Sequence, residues 1–260
     1  MEQKSNLRQF TVSAAKKAGA FLLRTFKKDV SLVKKRGTAK EMHLMQDLKS
    51  DKLIISAIKK KFPSHNILTE ESGFINKKSE YTWIIDPLDG STNFARGNPF
   101  FAVSIALMKK KELLVGVVFA PFLKEWYVAE KGKGAYLNGK KINVSSKSKL
   151  AECYFVSCEG GDATNRQIAA INAKFLPLVK DMRKLGSAAL ESSSVAAGRS
   201  EAYIVRKISS WDVAAGVLFV EEAGGKVTDF EGKPWNGRKS NLVFSNGKVH
   251  QKVLKKLSSL

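Results

Sequence analysis

Apolar and small side chains recur at Leu7, Phe10, Ala14, Ala18, Phe21, Leu22 and Thr25, with Lys16, Lys17, Lys27 and Lys28 between them. That spacing is one face of an amphipathic helix over residues 4–28. Gly37 and its lysine-rich neighbours read as a loop. The helical period returns over 44–62, with Leu48, Ile54, Ile55 and Ile58 inward and Pro63 as a stop. Beyond it the period changes. Residues 66–69 predict a short strand, and Trp83-Ile84-Ile85 is the apolar run of a buried one, with a polar loop over 76–81 between them. Runs at 100–108, 113–119, 125–129 and 135–137 follow, the last closed by Asn138-Gly139, and predict an antiparallel meander.

The second half alternates differently. Strands are expected at 154–157, 202–205, 226–229 and 241–244, and helices at 162–175, 186–198, 211–223 and 247–257. The Ser- and Lys-rich stretch 140–150 separates the halves. Residues 1–145 are therefore expected as an α+β unit with the meander, and 146–260 as an α/β unit packed against it. A meander followed by alternation points to layers of helix and sheet, an α+β fold.

Composition narrows the classes. At 260 residues, 43% hydrophobic and 27% charged, the chain suits a globular protein with a developed core. No apolar run approaches the roughly 20 residues that span a bilayer, so no membrane partner is expected. Residues 1–28 carry scattered charges without the apolar core of a signal peptide. Cys153 and Cys158 have no second pair, and His43, His65 and His250 are scattered, which argues against a zinc site. Free thiols and a cytoplasmic location are the expectation. The net charge of +21 attracts anions, nucleic acid included. Its lysines are spread in short clusters without interleaved aromatics, so any nucleic-acid contact is expected to be unspecific.

The candidate chemistry centres on Trp83 to Phe94, W-I-I-D-P-L-D-G-S-T-N-F. Asp86 and Asp89 cannot stay uncompensated in an apolar strand, because one buried unpaired charge costs several kcal/mol or more. At the strand end, with Pro87 stiffening the loop, both carboxylates would point to one place, as hard divalent cations require. Gly90-Ser91-Thr92 offers backbone N–H groups to an anion. The alternative for these residues alone is an Asp-Pro turn followed by a helix cap. Glu70-Glu71-Ser72 is a second carboxylate pair at a strand end, and Asp47 lies in the first turn of the second helix. Trp211-Asp212-Val213-Ala214-Ala215-Gly216 starts a helix with an acid that is locally a cap. Its small residues permit close approach to another backbone.

In this order, E-E-S, D-P-L-D-G-S-T and W-D-V-A-A-G resemble the inositol monophosphatase family of Mg²⁺-dependent phosphatases over about residues 47–225. Pro63-Ser64-His65, Asn93-Phe94, and Gly132-Lys133-Gly134-Ala135 with Asn138-Gly139 add to the likeness. The resemblance implies a layered α/β/α/β/α sandwich and a set of roles. Glu70, Asp86 and the Leu88 carbonyl would hold one Mg²⁺, and Asp86, Asp89 and Asp212 a second, with a weaker third ion near Glu70. Phosphate would rest on the N–H groups of Gly90 and Ser91. The Ser91 hydroxyl would pair with Asp47 to orient the attacking water, making Asp47, Glu70 and Ser91 the catalytic set. Gly186, Ser187, Val205 and Arg206 would join Asp89 and Asp212 on the substrate side. The chemistry agrees, since a phosphate dianion repels a nucleophile until its charge is neutralised.

Two positions depart from the family pattern. Leu44 stands where a Thr is common three residues before Asp47. Val205, followed by Arg206 and Lys207, replaces a Glu that inositol-specific members use on substrate hydroxyls. The expected substrate is a small phosphorylated metabolite, inositol 1-phosphate first. Fructose 1,6-bisphosphate, a 3′(2′),5′-bisphosphate nucleotide and histidinol phosphate are the alternatives. A basic RNA- or transcription-associated protein is the reading of another class. The family likeness and the surplus of large side chains over 100–129 point to a homodimer, and the likeness also implies inhibition by Li⁺.

Overall fold

The computed structural model describes residues 2–28, 32–34, 42–159 and 165–258. Gly37 and the start of the helix expected from residue 162 lie outside them. The first half runs α1 (Glu2–Thr25), β1 (Leu32–Lys34), β2 (Met42–Leu44), α2 (Met45–Lys61), β3 (Asn66–Thr69) and β4 (Gly73–Ile75). It continues with β5 (Tyr81–Asp89), α3 (Ser91–Ala95), β6 (Ala102–Lys109), β7 (Glu112–Ala120), β8 (Glu125–Glu130), β9 (Gly134–Leu137) and β10 (Lys140–Ile142). The second half holds β11 (Tyr154–Glu159), α4 (Asn165–Phe175), β12 (Asp181–Arg183), α5 (Ala188–Ala196) and β13 (Ala202–Ile208). It closes with α6 (Ser210–Glu222), β14 (Lys226–Asp229), β15 (Ser240–Ser245) and α7 (His250–Leu257).

Two large sheets result, in the orders β10-β9-β8-β7-β6-β5-β3-β4 and β12-β11-β13-β15-β14. Side-chain alternation along β5 shows how the layers form. Trp83 and Ile85 pack with α1 and α2 on one face, while Ile84 joins α5 and α6 on the other. The inner helices α5 and α6 lie between the sheets, and α4 and α7 cover the outer face of the second sheet. This is the expected α/β/α/β/α sandwich. The meander is buried on both faces within one chain: Val103, Ile105 and Leu107 face α1 and α2, and Ala102 and Ala106 face the inner helices. These side chains are used within one chain, whereas Phe122 in the same stretch is 43% exposed.

The small surface of α6 is used as its composition suggests. A Cβ on Gly216 would stand 2.0 Å from Ser192 Oγ of α5, so only glycine permits this helix contact. The two-stranded sheet β1-β2 and, in the two large sheets, the edge strands β4, β10 and β12 were not expected. Each has three residues, too few for a period to show. One of them, β10, occupies the start of the stretch read as a boundary, where it pairs with β9.

The central stretch also differs from expectation. Asp86 and Asp89 do not follow the strand but lie within the nine residues of β5. Between them the ladder to β6 advances from Ser104 to Ala102, two positions against three, so Pro87-Leu88 forms a bulge. Proline fits a sheet at such a place because no ladder N–H is needed there.

Candidate active site

Register brings the first two acids together. Strands β3 and β5 are parallel with Thr69 opposite Ile85, so the next residues, Glu70 and Asp86, emerge side by side at the carboxyl ends. In open α/β sheets such ends border ligand crevices. Asp212 comes from the inner helical layer, in the first turn of α6, where its Oδ2 accepts the Ser209 N–H at 3.1 Å. Oxygens of Glu70, Asp86 and Asp212 lie within 4.8 Å of one another.

Electrostatics make this cluster a trap for cations. Burial, and then the charges of Glu70, Asp89 and Asp212, push the Asp86 carboxyl well above the ordinary range, opposed by the Leu88 N–H at 3.0 Å. Burial, Glu70 and Asp89 raise Asp212 in the same way. Three hard oxygen donors that repel one another are relieved either by protons or by a divalent cation, so the donor set fits Mg²⁺.

Asp89 is oriented differently from the trio. Its oxygens accept the Ser187 hydroxyl and the N–H groups of Ala188 (3.1 Å) and Ala189 (2.9 Å) at the start of α5. Burial lifts its carboxyl to about 6, and these hydrogen bonds oppose the rise. The Ser187 hydroxyl, expected on the substrate side, is thus spent on Asp89. Asp47 is buried beside the cluster and accepts the Leu44 N–H at 2.9 Å. Burial raises it to about 8, with Glu71 and Glu70 adding and the Leu44 bond opposing. Among the described residues no hydrogen bond links Asp47 to Ser91.

Gly90 holds φ +82°, and a Cβ there would meet the Phe100 carbonyl oxygen at 2.6 Å. Next to it the Asn93 side chain donates to the carbonyls of Phe100 and Leu185, each at 2.8 Å, tying α3 to the turn before α5. A cleft of about 380 Å³ opens here, bordered by Asp89, Asp212, Asn93, Gly186, Lys184 and Ile208.

The two strand positions expected on the substrate side are not in this cleft. Val205 is fully buried and packs with the inner helices. Arg206 points to the other face, its guanidinium 5.7 Å from the centre of the Phe230 ring. A register shift between Val205 and Ile208, with Lys207 at φ +52°, returns the strand so that Ile208 borders the cleft instead. Lys184, Ile208 and Asn93's tie were missed from sequence. Lys184 stood two residues before Gly186 and was legible as a cation beside the site, whereas the bulge that delivers Ile208 leaves no local mark.

A layered sandwich that gathers acids from two strands and a helix start beside such a cleft suits a site for a divalent cation and a phosphate ester. The family model described as "Inositol monophosphatase family" matches residues 3–260. A fructose-1,6-bisphosphatase/inositol-1-monophosphatase of Thermotoga maritima is 39% identical over 246 residues, 95% of this chain and 93% of the relative. Nus factor SuhB of Pasteurella multocida is 36% identical over 250 residues, 95% and 93% of the two chains. Among solved structures, an IMPase of Thermotoga maritima superposes with a TM-score of 0.90 at 36% identity, covering 98% of this chain and 97% of that one. The chain belongs to the inositol monophosphatase family and is a phosphoric monoester hydrolase.

Proposed function

We propose that the chain hydrolyses a small phosphate monoester with Mg²⁺, inositol 1-phosphate being the first substrate to test. The observation that carries this reading is the convergence of Glu70, Asp86 and Asp212 at the cleft. Glu70, Asp86 and the Leu88 carbonyl would hold one ion and Asp86, Asp89 and Asp212 another, with a weaker third near Glu70. When bound, Mg²⁺ neutralises phosphate charge and lowers the pKa of water. The chain supplies the rest. Gly90 and Ser91 would offer N–H groups to the phosphate, and Asp47, raised to about 8, would hold or take a proton near neutral pH. The start of α5 fixes Asp89, and Asn93 fixes the turn that carries Gly186.

The test is phosphate release from inositol 1-phosphate, fructose 1,6-bisphosphate, 3′-phosphoadenosine 5′-phosphate and histidinol phosphate, with Mg²⁺ and with chelator. Chelator-sensitive turnover of at least one ester is expected. Rates no higher than those of Asp86→Asn on every ester overturn the reading.

A second reading, a preference for bisphosphorylated esters, is favoured by Lys184 at the cleft. A cation there suits a second phosphate, and buried Val205 offers no acceptor to a polyol hydroxyl. Lys184→Ala should lower kcat/KM about tenfold on the bisphosphates while leaving inositol 1-phosphate nearly unchanged. Equal losses on both classes would remove Lys184 from specificity. A basic RNA-associated role is the reading of another class, and its support is the charge. With a net charge of +21, RNA binding that falls steeply with salt without sequence preference would mark it as charge alone.

A further inference from the structure

Helix α2 faces the carboxylate cluster with a short polar patch whose inner members are assigned no role in the reaction. Ser50 and Asp51 are both buried, at 0% and 1% exposure, on a helix whose other inward residues are mostly apolar. Adjacent helix positions diverge by about 100°. The two side chains therefore reach different targets. Ser50 Oγ donates to the Pro87 carbonyl at 2.8 Å, within the bulge that separates Asp86 from Asp89. Asp51 accepts the hydroxyl of Ser72, and the Ser72 N–H donates to Thr69 Oγ1 at 2.8 Å, closing the turn that carries Glu70.

We propose that Ser50 and Asp51 are positioning residues that set the metal affinity of the site by holding its two carboxylate-bearing turns at a fixed separation. The parallel register places Glu70 beside Asp86 but constrains neither turn beyond the ladder. Past Thr69 the chain leaves β3 for the turn to β4, and past Asp86 the β5–β6 ladder slips. Each turn then has a hydrogen bond to the same helix, from positions one residue apart, that of Ser50 buried and that of Asp51 partly buried. Opening either one lets the carboxylates relieve their repulsion by moving apart, which weakens their shared hold on a cation. Groups that orient metal ligands in this way typically change affinity by about 10- to 100-fold when removed.

This inference rests on the metal reading above, and the experiment separates the two. Mn²⁺ serves as the probe, with free ion measured by electron paramagnetic resonance on the full chain. Wild-type protein that binds no Mn²⁺ overturns both. Given wild-type binding, Ser50→Ala and Asp51→Ala should each raise the dissociation constant about 10-fold or more. The Mg²⁺ concentration for half-maximal activity should rise in parallel, with much of kcat recovered at saturating Mg²⁺. Asp51→Asn keeps an acceptor for Ser72 and should bind nearly as wild type; a loss as large as that of Asp51→Ala would show a charge effect and overturn the positioning role. Ser50→Cys, of similar volume with a weaker donor, should lie between wild type and alanine. Ser245, whose buried hydroxyl bonds His250 at 2.8 Å in the outer layer, supplies the control. Ser245→Ala should leave Mn²⁺ affinity unchanged. Wild-type affinity in both alanine variants, or an equal loss in Ser245→Ala, overturns the proposal.

Discussion

The first turns of α2 and α6 are built alike and end up with different work. Each carries an aspartate three residues after the residue that precedes the helix, Asp47 after Leu44 and Asp212 after Ser209. Each aspartate reaches back to that residue's N–H, at 2.9 Å and 3.1 Å. The difference lies opposite them. Asp212 meets Glu70 and Asp86 within 4.8 Å, whereas Asp47 lies outside that trio and feels Glu71 and Glu70 only through their field. One local device thus gives a member of a carboxylate cluster where the topology supplies partners, and a buried carboxyl outside that cluster where it does not. The comparison is open to test by removing each charge in turn.

The largest effect is expected at Asp212. Asp212→Asn takes one of the three converging carboxylates and should lower kcat/KM by about 10³-fold, the order of several kcal/mol of lost charge stabilisation. Removing a repelled buried charge should also raise the urea midpoint of the protein in chelator. A variant within tenfold of wild type, or one destabilised without metal, breaks the assignment. Asp47→Asn is expected to act on kcat alone, by about 10²-fold, as for a positioned proton acceptor. Mn²⁺ affinity should stay as in wild type. If Asp47→Asn weakens Mn²⁺ binding as strongly as Asp212→Asn, the two turns do not differ in the way described.

These two aspartates also show how far the sequence could be read. The second helix, the strand end before Glu70 and the short apolar run before Asp86 were legible, because periodicity and turn residues record local structure. The layered order followed from the family motifs. What stayed hidden depends on registers between distant segments. That Glu70 lies beside Asp86 comes from the Thr69–Ile85 pairing, and that Val205 is buried while Ile208 reaches the cleft comes from a bulge in β13. Nor could spacing show that Asp89 would be held by the N–H groups of Ala188 and Ala189, about a hundred residues away. The polar residues Ser50 and Asp51 sat in plain view on the inward face of α2, where binary patterning expects apolar ones.

Buried carboxyls also make stability depend on pH. Asp47 stands at about 8 in the folded chain against an ordinary 3.8, and Glu191, buried beneath the turn before α5, at about 7 against 4.5. Both folded values are raised, so the folded state binds more protons than the unfolded one. The stability these groups contribute is fully present below about pH 4 and lost as pH rises through about 7 and 8. Each contributes a slope of about 1.4 kcal/mol per pH unit inside its window. In chelator the urea midpoint should therefore fall from pH 5 to pH 8. Glu191→Gln should flatten the part up to about 7, and Asp47→Asn the part that continues to about 8. A metal-free midpoint that rises across this range contradicts both shifts.

The smallest effect is expected at Leu44, where the two turns differ in sequence. Serine precedes α6 and leucine precedes α2, although leucine is a poor residue at a helix start. By local preference alone, Leu44→Thr should stabilise α2 by about 0.5–1 kcal/mol. Packing opposes it, for Leu44 is 2% exposed within the layer formed by α1, α2 and β5. Removing most of a buried leucine costs about 2–4 kcal/mol when its site cannot collapse. The packing loss wins, so Leu44→Thr should be destabilised by about 1–3 kcal/mol in urea titrations with Mg²⁺ present. The Asp47 hydrogen bond goes to a backbone N–H that threonine keeps, so kcat should change less than about threefold, well below the loss expected of a general base. A variant that is more stable than wild type would show that the start of α2 is governed by its cap, as the start of α6 is, and would erase the distinction between the two turns.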